Sequence, residues 1–376
     1  MTCKRPRAAF GLASLLCFII VPASATPFGV TNLITNDQSA NAAQITDPDL
    51  QNAWGISYAP PGPFWVSDNG AGVTTLYQID PSTNLTTKLG LTVSIPGDGS
   101  ITGQTFNSGF SGGSFNSDLF VFVSEDGTIS GWKFALGTTA ETLQVGSTLN
   151  VYKGTTMDTV GGHSYLLSAN FRTGTIDVFK GDAAAPDLSG KFVDPNLPSG
   201  YAPFNVQNIN GNIFVTYAIQ DAAKKDEVAG AGNGIVDEYD ANGNLIARVG
   251  SGGALNAPWG LALAPASFGD FAGDLLVGNF GDGTINVFDL LTNSFVGTLE
   301  DKDGNPIVID GLWGLIPGNG TLAGNASEIY FSAGPNDESD GLFGVIGRVP
   351  EPTTLALFAV GLGAITVVRR RKNKEA

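Results

Sequence analysis

The sequence predicts an all-β fold: a six-bladed β-propeller closed by an N-terminal strand, followed by a C-terminal transmembrane helix. Three observations predict it. A turn-plus-strand unit recurs, clearest as Gly281–Leu290, Asp126–Trp132 and Thr173–Phe179, with weaker copies at Val73–Tyr77, Gly234–Tyr239 and Gly341–Val345. Anchored on Thr74, Thr128, Thr175, Ile235, Thr284 and Leu342, the copies are spaced by 47–60 residues, a period that suits propeller blades. The composition agrees: 51 Gly and 14% charged residues favour short strands joined by tight turns over long helices. Finally, the last repeat lacks a fourth strand, while an unassigned strand pattern at Phe28–Thr35 precedes the first repeat. Pairing the two would seal the ring.

In chain order, residues 1–25 read as a secretory signal. Lys4, Arg5 and Arg7 supply the positive region, Phe10–Val21 the apolar core, and Ala23-Ser24-Ala25 a small-residue cleavage site. Both cysteines, Cys3 and Cys17, fall in this segment, so residues 26–349 have no disulfide or thiol chemistry. That body holds 11 basic against 33 acidic residues, a net charge of −22. Such a surface repels phosphate backbones, which argues against nucleic acid as a partner.

Four strands per blade follow from alternating and β-branched runs. The first blade is expected at Trp54–Tyr58, Phe64–Asp68, Thr74–Ile79 and Lys88–Val93. The second takes Gln104–Phe106, Leu119–Ser124, Thr128–Phe134 and Leu149–Tyr152, the third Thr155–Val160, Ser164–Asn170, Thr175–Lys180 and Gly190–Val193. The fourth uses Phe204–Asn208, Asn212–Ile219, Ile235–Tyr239 and Leu245–Val249, with the polar loop Asp221–Gly232 inserted. The fifth runs through Trp259–Ala264, Asp274–Gly278, Thr284–Asp289 and Phe295–Leu299, and the sixth through Trp313–Ile316, Glu328–Ser332 and Leu342–Arg348. Trp54-Gly55, Trp259-Gly260 and Trp313-Gly314 begin inner strands, with Phe106 and Phe204 at matching places. Glycine there lets neighbouring backbones approach while the ring wedges between blades.

Candidate chemistry follows from propeller geometry, which gathers the starts of inner strands and the ends of second strands at one mouth of the channel. Those slots hold Asn52, Asp68, Asn69, Glu125, Asp126, Asn170, Asn205, Asn256, Asn279 and Asp310, with Gln104, Gln220, Asp221 and Asp282 beside them. Amides and carboxylates in a ring can bind Ca²⁺ or sugar hydroxyls, although Asn and Asp are also ordinary turn residues. Asp301–Asn305 and Asp240–Asn244 resemble fragments of a calcium loop without its closing Glu. The body's single histidine, His163, lies in a Gly-Gly-His-Ser turn, which argues against zinc sites built on several histidines and suits a turn residue more than a catalytic one.

Residues 350–376 are a separate object: Pro350-Glu351-Pro352, the apolar run Thr353–Val368, then Arg369, Arg370, Arg371 and Lys372. Sixteen helical residues span roughly 24 Å, somewhat less than the ~30 Å hydrocarbon core, and a basic tail stays cytoplasmic. This tripartite end resembles the PEP-CTERM sorting signal of exopolysaccharide-producing Gram-negative bacteria. The resemblance implies recognition and processing by an exosortase, with inner-membrane anchoring before processing and a cell-surface or extracellular destination after it. The body resembles an uncharacterised propeller family that often carries this signal, with NHL- and lactonase-like propellers as fold relatives, and it transfers no catalytic residue. Two functional expectations follow. One is a non-enzymatic module that binds exopolysaccharide or a surface protein; the other is a metal-dependent hydrolase or lactonase using the channel-mouth carboxylates, with Ca²⁺ the candidate ion.

Overall fold

The computed structural model describes residues 27–349, which form six β-sheets arranged as the blades of a closed propeller. Phe28–Thr35 pairs antiparallel with Leu342–Arg348, from Phe28↔Arg348 to Thr35↔Leu342, with one bulge between Asn32 and Ile34. The ring is therefore sealed as the sequence predicts. Inward-facing residues supply the driving force: Phe28, Leu33 and Ile34 are almost completely buried. The Phe28 ring lies 4.8 Å from Phe268 in the fifth blade, so the latch also crosses to a neighbour. Beyond it, Ile45–Thr46 adds a short parallel strand, giving the sixth sheet five strands.

The first blade comprises Ala53–Ser57, Phe64–Asp68, Val73–Ile79 and Thr86–Ser94. The fourth comprises Tyr201–Ile209, Asn212–Ile219, Ile235–Tyr239 and Leu245–Ser251. The fifth comprises Pro258–Leu263, Leu275–Asn279, Ile285–Asp289 and Ser294–Thr298. Second strands such as Phe120–Ser124 and Ile329–Ala333 are buried along their whole length, because both of their faces meet adjacent blades. This is why they read as continuous apolar runs instead of alternating ones.

Two strands differ from expectation. The outer strand of the second blade is Glu141–Gln144, whereas Leu149–Tyr152 leads into the inner strand of the third blade, Tyr152–Val160. A polar edge strand leaves little apolar period to detect, so the stronger pattern downstream, which belongs to the next sheet, stands out in its place. Gly190–Val193 is not a strand. Gly190 and Phe192 instead donate to Asn242 and Gly243 carbonyls of the fourth blade, at 2.8 and 2.9 Å. The Phe192 ring packs against Tyr239, and the third blade has three strands. The expected N-terminal signal, with Ala23 and Ala25, and the C-terminal helix lie outside the described residues. Among the described residues no helix is long and apolar enough to cross a membrane.

All six inner strands carry a register shift at one equivalent place: Ala53/Ile56, Ile101/Gln104, Tyr152/Thr155, Pro203/Asn205, Pro258/Gly260 and Leu312/Leu315. A bulge re-aims the side chain within it, and here it aims six side chains at the axis. The next residue is glycine in five blades because no Cβ fits: at Gly55 it would lie 2.6 Å from the Thr102 carbonyl oxygen, and at Gly260 2.7 Å from that of Trp313. At Gly154 the added methyl would collide with the Asn205 side chain.

Two outcomes follow for folding. Phe28→Ala should lower stability by about 3–5 kcal/mol in chemical denaturation, as for other fully buried Phe residues, and unchanged stability would mean the latch is not needed. Gly154→Ala should cost about 1–3 kcal/mol from overpacking, and Asn205→Gly in the same chain should relieve most of that loss.

Candidate functional site

The six bulges place Trp54, Thr102, Lys153, Phe204, Trp259 and Trp313 at equivalent positions around the axis, so that Thr102 holds the second blade's place and the expected Phe106 lies at the far end of that strand, opposite Phe120. Four of the six are aromatic, and they close the channel. Trp54 stacks on Trp313 at 3.6 Å, and Phe280 stacks on the other side of Trp313 at 3.9 Å. Trp259 meets both tryptophans edge-on, at 6.2 and 5.9 Å, while Phe204 contacts Trp313 at 5.8 Å. The three indoles are at most 4% exposed. Trp313 Nε1 donates to Asn52 Oδ1 at 3.1 Å, whereas the Nε1 atoms of Trp54 and Trp259 are buried without a partner.

Lys153 is the exception in this ring. Its side chain is 1% exposed, with Nζ 5.0 Å from the Trp54 ring and 5.9 Å from that of Phe171. Nζ meets Glu125 Oε1 at 2.5 Å and Asp226 Oδ1 at 3.3 Å. Lys225 approaches the second Glu125 oxygen at 3.7 Å. Burial works against the Lys153 charge, but Glu125, Glu227 and Asp226 outweigh it and hold the ammonium above its ordinary pKa. Glu338 lies on the same mouth, where Asn52 Nδ2 donates to its Oε2 at 2.6 Å. Burial pushes the Glu227 and Glu338 carboxyls above their usual range, with Lys153 opposing in both cases. Glu338 is carried by three consecutive left-handed residues, Asn336 (φ 58°), Asp337 (φ 51°) and Glu338 (φ 64°). Such strain in non-glycine residues is uncommon and tends to gather at special sites.

The structure divides the residues expected at the mouth. Asn52 and Glu125 reach the lysine cluster, and Asn69 touches it through Asn52 at 3.4 Å while donating to the Ile101 carbonyl. Asp68 turns away from the axis. It accepts from Thr75 at 2.8 Å within a buried chain through Tyr77 to Asp47, and burial raises its carboxyl well above the ordinary range. Asp126 closes a turn on the second blade by accepting from Thr128 and from the Asp98 amide. Asn170 bonds Asn150 and Asp177. Asn256 and Asn279 share Asp282, at 3.0 and 3.1 Å, and tie the loops of the fifth blade. Asn205 lies below the plug and donates to the Trp259 carbonyl at 2.7 Å. Asp310 caps the Asn336 amide at 2.9 Å. Gln104 donates to the Gly55 carbonyl and Gln220 to that of Phe171, while Asp221 accepts from the Lys225 amide inside its own loop.

Lys153, Asp226, Glu227 and Glu338 were not among the expected residues. Lys153-Gly154 does match Trp54-Gly55 and Trp313-Gly314 in its second residue, so glycine register, not aromatic identity, was the usable signal. Among the described residues no three His, Cys, Asp or Glu side chains are arranged to hold a metal ion. The Lys153 ammonium itself lies where a cation would neutralise Glu125. His163 is remote from this cluster in sequence partners and sheet position, facing Asp182 at 3.0 Å beside the hairpin of the third blade.

Removing one member of a buried ion pair leaves the other charge uncompensated. Lys153→Met should therefore destabilise the protein by about 3–5 kcal/mol, and adding Glu125→Gln should restore most of it. A double-mutant cycle in denaturant measures this; additive losses would mean the two groups do not couple.

Residues 348–372 match the PEP-CTERM protein-sorting motif, which implies an exported protein processed by an exosortase. Over 342 residues the chain is 30% identical to uncharacterized protein R648 of Acanthamoeba polyphaga mimivirus, covering 85% of this chain and 80% of that one. Uncharacterized protein L690 of the same virus is 31% identical over 334 residues, covering 83% and 84%. Among solved structures, an α-L-arabinofuranosidase from Fusarium graminearum aligns with a TM-score of 0.54 at 10% identity, over 85% of this chain and 98% of its own. A PQQ-bound aldose sugar dehydrogenase from Streptomyces coelicolor aligns at 0.50 and 14% identity, over 86% and 99%. At such identities these likenesses speak for the propeller fold alone. The chain thus belongs to the same family as the mimivirus proteins R648 and L690, as a propeller that bears a PEP-CTERM sorting motif.

Proposed function

We propose that this protein is a non-enzymatic binding module of the cell surface or extracellular matrix, with exopolysaccharide as its partner. In this reading a cleaved N-terminal signal directs export, and the apolar segment 353–368 holds the chain in the inner membrane. The exosortase then acts at Pro350-Glu351-Pro352 and sends the propeller outward.

The observation that carries the reading is the state of the axial groups. Lys153 is held as an ammonium by its carboxylates, so its amine is not free to act as a nucleophile or base. The indoles beneath it are packed against one another. The hydrolase alternative would need a metal among the same carboxylates, in the space that the lysine ammonium fills, and no observation favours it.

The test is retention on cells. Purified full-length chain should stay bound, after washing, to cells that make exopolysaccharide and be lost from a strain that cannot. Equal retention on both strains would shift the partner to a surface protein, and no retention on either would end the binding-module reading.

A further inference from the structure

The aromatic plug closes only one end of the channel. The inner strands begin at the plug and run toward the opposite face, and there the channel widens into a cavity of about 270 Å³. Ser57, Thr105, Ser108, Gln207 and Asn208 line it, drawn from the far ends of inner strands in three blades and the turn after one of them. A groove of about 680 Å³ continues from it along the fifth and sixth blades, walled by Leu263, Pro265 and Pro317. The two spaces share Tyr58, Gln207, Asn208 and Ile316 and so form one site. Together they are in the size range of small-ligand pockets, about 300–1,000 Å³.

Charge is what distinguishes this end. No Asp, Glu, Lys or Arg lines either space, although the body carries 33 acidic and 11 basic residues. The nearest carboxylate by bonding, Asp158, is tied to Asn208 Nδ2 at 2.9 Å. A charged ligand would lose hydration here without gaining a counter-charge. A purely apolar ligand is equally unsuited, since it would strip water from the half-buried Gln207 amide and the exposed Ser108 hydroxyl of the cavity wall without pairing either. Hydroxyls and amides beside the Tyr58 ring and an apolar groove suit a ligand with hydroxyl edges and C–H faces.

We infer that the open end of the channel, opposite the lysine-capped plug, binds an uncharged oligosaccharide, with one sugar unit in the Ser57–Gln207 cavity and its neighbours along the groove. This rests on the binding-module reading and gives it a site and a ligand class.

Isothermal titration of the full-length chain, in a detergent without a sugar head group, tests it. The probes are an array of neutral hexose pentasaccharides of α- and β-linkage, a uronate pentamer and a glucosamine pentamer. At least one neutral pentamer should bind tenfold or more tightly than both charged ones. Gln207→Leu, and Ser108→Trp at the exposed rim, should each weaken that binding at least tenfold while leaving the unfolding midpoint unchanged. The inference is overturned if no neutral pentamer binds, if a charged one binds as tightly, or if both folded variants bind like the parent. Ser108→Trp chain that still coats exopolysaccharide-producing cells would overturn this site and leave the binding-module reading standing. Parent chain that fails to coat them would sink that reading instead.

Discussion

The constraint on which the whole molecule depends is crowding at the axis. Six inner strands converge until the backbone of one meets the next, as at Gly55 against Thr102 and Gly314 against Trp54. Glycine is required there by distance, not by dihedral angle, and the adjoining bulge turns the preceding side chain inward. Large rings then fill what the missing Cβ atoms leave open. Each fully buried aromatic of this kind is worth a few kcal/mol. The plug thus converts a geometric necessity into the molecule's central packing contact.

Placing an ammonium among those rings is tolerable only because its surroundings compensate for lost water. Lys153 has carboxylates at 2.5 and 3.3 Å and an indole face beneath it. Buried charges persist when paired and hydrogen-bonded, and cation–π contact adds a modest further attraction. The same cluster joins the second blade (Glu125), the third (Lys153) and the long loop of the fourth (Asp226). It therefore ties three sheets together at one end of the axis.

The two ends of the axis are consequently unlike. One is capped by rings, a lysine and acids; the other ends in hydroxyls, amides and an uncharged groove. The body's 33 acidic residues therefore leave one end of the axis uncharged, and the acidic cap and the neutral mouth are separated within one small fold.

Much of this was legible in the residues themselves. The repeat, the blade number, the latch between Phe28–Thr35 and Leu342–Arg348, and the tripartite tail were determined by sequence alone, since they rest on local turn chemistry, strand periodicity and segment composition. The exchange of Leu149–Tyr152 between blades was not legible, because a polar edge strand such as Glu141–Gln144 carries almost no apolar period. That one shift hid Lys153-Gly154 from alignment with the Trp-Gly pairs. Which of the many Asn and Asp residues converge was decided only by tertiary structure. Asn52 and Glu125 face the axis, whereas Asp68, one strand from Asn52, points between blades toward Thr75. Side-chain direction at a blade rim depends on bulges and on long-range neighbours such as Glu338, 286 residues from Asn52, and no local pattern encodes those.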